Sequence, residues 1–244
     1  MILFKSRFDV GVDVYSDQLI KKLRKELKMI LKKIKVITPQ ENLLTNTYIV
    51  CDEETKETMV IDPGGEIEKI VEMLNIIESN LKYIVLTHCH ADHSNGVKQL
   101  KQQKGGKVLI SRDDAIGLEK PELNLCEYIN AENPGIEADS RLDDLDKIHL
   151  GNLEFTILAT PGHTKGGICV YCEEQRLVFT GDTLFSGSWG RTDLPTGNFE
   201  EIINSINNKL MMLPDETIVY PGHGKTTMIQ DEKDIYIELK AKKF

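Results

Sequence analysis

The stretch Thr87-His-Cys-His-Ala-Asp-His93 decides the fold, because it gathers three of the chain's six histidines and a carboxylate. It directly follows an apolar run, Tyr83–Leu86, whose aromatic and β-branched residues favour a strand. It precedes a segment with helical periodicity, Gly96–Gln102. The histidines are therefore predicted to lie in a strand-to-helix loop, where a rigid scaffold holds functional side chains.

The residue types in this loop are those that bind transition metals. Neutral imidazole and carboxylate are ligands for Zn²⁺ and Fe²⁺. In an extended segment His88 and His90 project to the same side, and a turn into the helix brings Asp92 and His93 toward the same space. Without a cation, so many titratable groups are costly to bury. The loop is therefore predicted to bind metal.

Two more histidines follow strand-like runs through the same Pro-Gly-His device. His163 lies in Thr160-Pro-Gly-His-Thr164, and His223 lies in Tyr220-Pro-Gly-His-Gly224. Pro-Gly makes a sharp turn at a strand end and delivers the next side chain to one edge of a sheet. The repeated device predicts that both imidazoles reach one shared site.

Asp182 completes the set of candidate ligands. It comes just past the apolar run Leu177–Thr180, and its two carboxylate oxygens are suited to bridging two cations. The sixth histidine, His149, lies between Ile148 and Leu150 and is interpreted as structural or exposed.

Composition and charge disfavour a nucleic-acid-binding or membrane-spanning protein. The 244 residues are 40% hydrophobic, and no apolar run is long enough to span a bilayer. Residues 1–38 carry ten basic and four acidic side chains, a net of +6, and the remaining 20 basic and 35 acidic side chains give −15. So acidic a domain lacks the basic clusters that contact phosphates. Small molecules are the expected partners, and a homo-oligomer is compatible with the sequence.

The cysteines are not arranged as a set of disulfide partners. The five cysteines are odd in number and scattered, which does not suggest a disulfide framework. The pair Cys169 and Cys172 lies in a strand-like run without a second pair to complete a zinc ribbon, so it is interpreted as structural. No secretory signal is recognisable at the N-terminus, and a cytoplasmic location is expected.

Hydrophobic periodicity predicts a mixed α/β domain over residues 33–244. Strand-like runs recur from Lys33–Thr38 to Thr217–Val219. Helical patterns fall between them at Glu66–Ser79, Gly96–Gln102 and Phe199–Leu213, which suggests helices covering sheet faces. Residues 118–146 are predicted to be a loop with short helices.

Residues 1–32 are predicted to be a basic N-terminal extension. Leucine and isoleucine recur at helical spacing over residues 18–34, with Lys and Arg between them, which predicts an amphipathic helix. A surface helix docked on its own domain is the favoured interpretation, and a membrane-surface or partner-binding helix is the alternative. A natural start at Met29 is a third reading, with the domain opening on its first strand.

The motifs together resemble the metallo-β-lactamase-fold superfamily. The combination H-x-H-x-D-H, P-G-H-T, G-D-T and a late G-H-G covers roughly residues 33–228. The run from Gly181 to Asp193, G-D-T-L-F-S-G-S-W-G-R-T-D, is most similar to glyoxalase II (hydroxyacylglutathione hydrolase). The resemblance implies an α/β (α+β) fold, a four-layer αββα sandwich with metals at one edge.

The resemblance also implies a role for each candidate residue. It implies a first metal held by His88, His90 and His163, a second held by Asp92, His93 and His223, and Asp182 bridging the two. Zn²⁺ is the metal most expected, with Fe and Mn as alternatives. Asp92 is expected to orient the nucleophile and move a proton. Arg191 is interpreted as a structural partner of Asp193, with a substrate contact by Arg191 as the alternative.

The reaction that the resemblance implies is hydrolysis of a thioester or related ester by a water that two metals activate, with its pKa lowered to about 7. Antibiotic hydrolysis is not expected, because the best-known true β-lactamases carry Cys near the position of Asp182. Glyoxalase II holds glutathione with an extra C-terminal helical region. Only 21 residues follow His223, so glutathione is not expected to be held in that way.

Two other functions fit parts of the sequence. The stretch Thr87–His93 and Gly190-Arg-Thr-Asp193 also resemble persulfide dioxygenases of the same fold, which use a single iron held by the equivalents of His88, His163 and Asp182. The second alternative is a non-enzymatic role in which the N-terminal helix binds a membrane or a partner.

Overall fold

The computed structural model describes residues 29–37 and 44–233, and its framework is a pair of six-stranded sheets packed face to face. The first sheet has the order β1-β2-β3-β4-β5-β6, with β3 to β6 parallel and β1 and β2 antiparallel to their neighbours. Its strands are β1 (Met29–Ile37), β2 (Leu44–Asp52), β3 (Glu57–Ile61), β4 (Asn80–Val85), β5 (Lys107–Ser111) and β6 (Ser140–Leu142).

The second sheet follows the first in the chain. Four of its strands come consecutively: β7 (Lys147–Leu150), β8 (Leu153–Ala159), β9 (Ile168–Cys172) and β10 (Leu177–Gly181). A small hairpin follows, formed by β11 (Leu184–Phe185) and β12 (Ser188–Trp189). The last two strands of the sheet are β13 (Ile218–Pro221) and β14 (Thr227–Met228). The sheet order is β14-β13-β10-β9-β8-β7, and only β10 and β13 pair in parallel.

Residues 67–208 contain five α-helices, three of which have at least two turns, and residues 229–233 are helical as well. The helices are α1 (Ile67–Ile76), α2 (Ala91–Ser94), α3 (Val97–Lys104), α4 (Pro121–Asn124) and α5 (Phe199–Asn208). Short 3₁₀ turns cover Ala115–Leu118, Cys126–Ile129 and Leu210–Met212. Asn198 begins α5 as its N-cap, since its side chain accepts hydrogen bonds from the N–H groups of Glu200 and Glu201.

The space between the sheets is filled by the inward-facing side chains of both. Tyr48 and Phe179 from opposite sheets are buried, with ring centroids 5.1 Å apart. Phe155 and Ile157 of β8 lie in the same core. Side chains at alternate positions of a strand share one face, which is why positions two apart supply this layer.

The outer faces of both sheets carry helices. Ile70 and Leu74 of α1 pack with Leu100 of α3 on the first sheet. Ile202 and Ile206 of α5 pack on the second sheet. The helix–sheet–sheet–helix order confirms the predicted α/β fold, a four-layer αββα sandwich.

The helix predicted over residues 18–34 is wrong where it can be compared. Residues 29–34 belong to strand β1, and residues 18–28 lie outside the described part of the chain. Met29 and Leu31 pack into the inter-sheet core, whereas Ile34 and Val36 pack against the helices outside. This alternation is the two-residue period of a strand. The strand crosses the predicted boundary between residues 32 and 33, and the two-part division stays a prediction.

The topology brings the ends of several strands to one edge of the sandwich. β4, β8, β10 and β13 each end just before a segment that carries candidate ligands. Parallel strands end at the same edge of a sheet, and such edges are where open α/β folds bind ligands. Among the described residues, no helix has the length and apolar character to traverse a bilayer.

Truncating the inter-sheet core is expected to destabilise the fold. Phe155→Ala removes a fully buried ring and should lower the free energy of unfolding by about 3–5 kcal/mol. Met212→Ala, at a side chain that is 75% exposed, is the control and should change it by less than about 0.5 kcal/mol. Equilibrium urea unfolding with a chelator present measures both, and equal values for the two variants would contradict the assignment of the core.

Candidate metal centre

Four separate segments deliver the candidate ligands to one edge. The segment after β4 carries His88 in the loop, His90 as the residue before α2, and Asp92 and His93 within α2. The other three segments are the turns after β8, β10 and β13, which carry His163, Asp182 and His223. Residues more than a hundred positions apart in the chain therefore meet in space.

The seven side chains form overlapping groups whose ligand atoms lie within 4.8 Å of one another. The groups are His88, His90 and His163; His88, His93 and Asp182; and Asp92, His93 and His223. Nδ1 of His90 is 2.9 Å from Nε2 of His163, and Nε2 of His93 is 3.3 Å from Nε2 of His223. All seven residues predicted as ligands are thus brought together, in the two sets of three that the sequence analysis expected, with Asp182 beside them.

Asp182 lies between the two sets. Its Oδ1 is 3.3 Å from Nε2 of His93, and its Oδ2 is 3.6 Å from Nε2 of His163 and 3.4 Å from Nε2 of His223. The carboxylate therefore faces imidazoles of both sets, as a bridging ligand would.

Several inward-facing atoms have no hydrogen-bond partner. Nε2 of His88, Nε2 of His90 and Oδ1 of Asp182 are buried and make no hydrogen bond of good geometry, although Oδ1 lies 3.3 Å from Nε2 of His93. Buried polar atoms are nearly always hydrogen-bonded, so three unpaired ones in a single cluster need an explanation. A metal ion supplies one for the atoms that face the centre, because imidazole nitrogen and carboxylate oxygen are its natural ligands.

Four of the five imidazoles are held through their other ring nitrogen. Nδ1 of His93 is 3.0 Å from the carboxylate of Asp62, and Nδ1 of His88 is 3.1 Å from the hydroxyl of Thr87. Nδ1 of His163 lies 2.7 Å from the carbonyl of Arg191, and Nδ1 of His223 lies 2.9 Å from the carbonyl of Leu44. Such partners fix ring orientation and tautomer in metal sites, leaving Nε2 free to bind an ion.

Asp62 is a functional residue that the sequence analysis missed. Besides orienting His93, its carboxylate accepts hydrogen bonds from the backbone N–H and the hydroxyl of Thr87, at 2.8 and 2.7 Å. It directly follows β3 in Asp62-Pro-Gly64 and has a positive φ of 53°. A carboxylate just past an apolar strand is the signal that identified Asp182, and it was available here too.

The electrostatics of the two sets differ. Burial lowers the pKa of His88 well below its usual value and that of His90 to about 3, so these imidazoles are neutral, the form that binds metal. Burial also opposes the charged form of His93 and His223. The carboxylates of Asp92 and Asp182 overcome it, raising the pKa of His93 well above its usual value and that of His223 to about 10.

The centre opens to solvent on the side of the second set. The side chain of His223 is 21% exposed and that of Asp92 is 14% exposed, whereas His88 is 2% exposed and His93 is fully buried. The ring of Phe185 lies beside His223, with centroids 5.9 Å apart. Asp92 and His223 are therefore the most solvent-exposed members of the cluster.

The side chains of Arg191 and His149 lie on the surface, outside the groups of clustered ligands, although the Arg191 carbonyl contacts His163. The guanidinium of Arg191 pairs with both carboxylate oxygens of Asp193 at 2.7 Å, on the surface. This is the structural pair that the sequence analysis favoured, and a substrate contact by the Arg191 side chain stays a prediction. His149 is 65% exposed on β7, as expected.

Comparison with known proteins supports the same family. The model of the metallo-beta-lactamase superfamily matches residues 41–223. A curated relative in Haemophilus influenzae, the hydroxyacylglutathione hydrolase GloC, is 37% identical over 206 residues, which cover 81% of this chain and 93% of that protein.

Solved structures show the same likeness over most of the chain. The BLEG-1 B3 metallo-beta-lactamase has a TM-score of 0.76 and 32% identity, covering 84% of this chain and 97% of its own. The di-iron-bound form of TTHA1623 has a TM-score of 0.72 and 30% identity, covering 83% and 96%. ETHE1 from Myxococcus xanthus has a TM-score of 0.70 and 30% identity, covering 85% and 83%. With this fold, this ligand cluster and these relatives, the chain belongs to the metallo-β-lactamase superfamily.

Proposed function

We propose that this protein is a metal-dependent hydrolase that cleaves a thioester or related ester bond with two divalent ions. The observation that carries the proposal is the carboxylate of Asp182, which faces imidazoles of both ligand sets in a cluster where three buried atoms make no hydrogen bond. The donor set fits such ions, because imidazole and carboxylate suit Zn²⁺, Fe and Mn. Zn²⁺ is proposed as the native metal, and the di-iron-bound relative supports iron as the alternative.

The roles of the ligands follow from their positions. His88, His90 and His163 would hold the first ion, and Asp92, His93 and His223 would hold the second, with the Asp182 carboxylate facing imidazoles of both sets. When bound, the two metal ions would polarise a carbonyl oxygen as Lewis acids and would lower the pKa of a bound water to about 7.

Asp92 is the proposed catalytic residue of the chain itself. Its Oδ2 lies 3.2 Å from Nε2 of His223, and its side chain is partly exposed at the opening of the centre. There it can orient the attacking water and accept its proton. The oxygen of that water forms a bond to the carbonyl carbon, the carbon–sulfur bond breaks, and the proton goes to the departing thiolate. The products are an acid and a thiol.

The thioester substrate is supported by the name of a relative and by chemistry. The Haemophilus influenzae relative is named a hydroxyacylglutathione hydrolase, and the chain covers 93% of its length. A small-molecule substrate suits an opening beside Phe185, His223 and Asp92. All five cysteines are buried and free, which supports the proposed cytoplasmic location.

Removing a ligand is expected to remove metal and activity together. Asp182→Ala takes away the shared carboxylate, and His88→Ala takes away a ligand of the first ion. Each should lower turnover at least about 100-fold, because the water loses its activation, and should lower the metal content measured by mass spectrometry. His149→Ala removes the exposed histidine outside the centre and is the matched control. Full turnover by metal-depleted protein would refute the proposal.

A substrate panel separates the proposed reaction from its alternatives. Purified protein loaded with Zn²⁺, Fe²⁺ or Mn²⁺ is offered S-acylated glutathione, a simple aryl ester, a chromogenic cephalosporin and glutathione persulfide. We expect thiol release from the thioester with two metals per chain. Oxygen consumption with the persulfide and one iron per chain would contradict hydrolysis, and so would a preference for the cephalosporin over every ester.

Gly222 offers a test in which none of the seven candidate ligands is itself substituted. A Cβ at this position would lie 2.4 Å from Oδ1 of Asp182 and 2.6 Å from Cε1 of His93, so Gly222→Ala pushes two ligands apart. We expect Zn²⁺ binding to weaken by at least about tenfold, as misplaced ligands do. Gly224→Ala is the control, since its Cβ meets nothing within 4 Å although its φ is +74°. It should cost roughly 1 kcal/mol of stability and keep the metal. Wild-type affinity in Gly222→Ala would contradict the placement of Asp182.

A further inference from the structure

A second buried carboxylate lies behind the centre and touches none of its imidazoles. Asp114 follows β5, and only 3% of its surface is exposed. Its backbone N–H donates to the hydroxyl of Ser111 at 3.2 Å, which fixes the turn that presents the carboxylate. The proposed reaction has no direct use for this group.

The carboxylate of Asp114 joins the two segments that carry the first set of ligands. Its Oδ2 accepts hydrogen bonds from the backbone N–H of Cys89 at 3.0 Å and from the hydroxyl of Thr164 at 2.7 Å. Its Oδ1 accepts one from the backbone N–H of Gly166 at 2.7 Å. Cys89 lies between His88 and His90, and Thr164 directly follows His163.

The packing around Gly166 also shows that the His163 segment lies directly against Asp114. A Cβ on Gly166 would lie 2.4 Å from the backbone N of Asp114 and 2.5 Å from its Oδ1. The backbone of the Pro-Gly-His segment therefore packs directly on the Asp114 turn. Two hydrogen bonds, from the Thr164 hydroxyl and the Gly166 N–H, and this close backbone approach hold the segment in place.

Asp62 has the corresponding place behind the second set. It contacts Nδ1 of His93 directly and anchors Thr87, whereas Asp114 acts only through backbone groups and the Thr164 hydroxyl. Asp62 also reaches the first set, because the Thr87 hydroxyl that it holds contacts Nδ1 of His88. Asp114 makes its contacts at Cys89, Thr164 and Gly166, so this support can be weakened without changing Asp62.

We propose that Asp114 is a positioning residue that sets the spacing of His88, His90 and His163 by tying Cys89 to Thr164 and Gly166. The inference rests on the proposed function, because the spacing matters only if these imidazoles share an ion. Loss of a hydrogen-bonding partner behind a metal ligand typically weakens metal binding 10–100-fold. The effect is expected at the first ion and not at the second.

The test measures Zn²⁺ affinity by competition with a chromophoric chelator on the full chain. His90→Ala and His223→Ala identify which binding step belongs to which set. In Asp114→Asn one acceptor oxygen becomes an NH₂ donor that faces N–H groups. We expect the first-set dissociation constant to rise about 10–100-fold and the second-set constant to stay within about threefold.

A pair of substitutions at Thr164 keeps Asp114 itself intact. Thr164→Val removes the hydroxyl and should weaken the first ion, whereas Thr164→Ser retains the hydroxyl and should bind it as the wild type does. Asp113→Asn is the control, because this exposed neighbour of Asp114 pairs with Lys165 of the His163 segment at 3.0 Å. Exposed ion pairs of this kind contribute little.

The role of Asp114 would be overturned if Asp114→Asn lowered the Zn²⁺ affinity of both sites equally. It would also be overturned if Thr164→Val and Thr164→Ser bound Zn²⁺ with equal affinity. If Asp114→Asn does not fold, the Thr164 pair decides. If the wild-type chain binds only one Zn²⁺, the two-metal function is wrong. If His90→Ala abolishes the binding of that single ion, the ion belongs to the first set, and the two Thr164 variants still test the role of Asp114. A chain that binds no Zn²⁺, or whose single ion His90→Ala spares, overturns both.

Discussion

Asp182 faces two sets of imidazoles at once, and this sharing constrains the rest of the structure. Its oxygens lie 3.3 Å from His93 and 3.6 Å from His163, in a cluster where most ligands are buried. Without bound cations, buried carboxylates and imidazoles this close together repel groups of like charge or share protons with groups of opposite charge. The loops that carry them must therefore hold their positions closely.

The two sheets are joined at the site as well as through their core. Pro221 at the end of β13 in the second sheet accepts hydrogen bonds through its carbonyl from Nδ2 of Asn46 at 2.8 Å and from the Tyr48 hydroxyl at 2.7 Å. Both donors lie on β2 in the first sheet. The segment that carries His223 is thus anchored to both halves of the sandwich. A metal centre at this junction depends on the whole fold, and its ligands in turn join segments that are distant in sequence.

The ligands could be predicted from the sequence because each follows a strand and belongs to a short local motif, as His163 does in Pro-Gly-His. The supporting groups could not be predicted in the same way. Asp114 accepts bonds from Cys89 and Gly166, which become its neighbours only on folding. The prediction of a helix over residues 18–34 is wrong for residues 29–34. Ile30, Leu31 and Ile34 fit helical spacing, but these residues pair with β2 and form a strand. Tertiary pairing overrides local periodicity in such short apolar segments.

The most direct measurement is a crystal structure of the purified protein with anomalous scattering recorded at the metal's absorption edge. We predict two anomalous peaks per chain, one among His88, His90 and His163 and one among Asp92, His93 and His223, with Asp182 contacting both. One peak alone, or none within bonding reach of these side chains, would contradict the two-metal account.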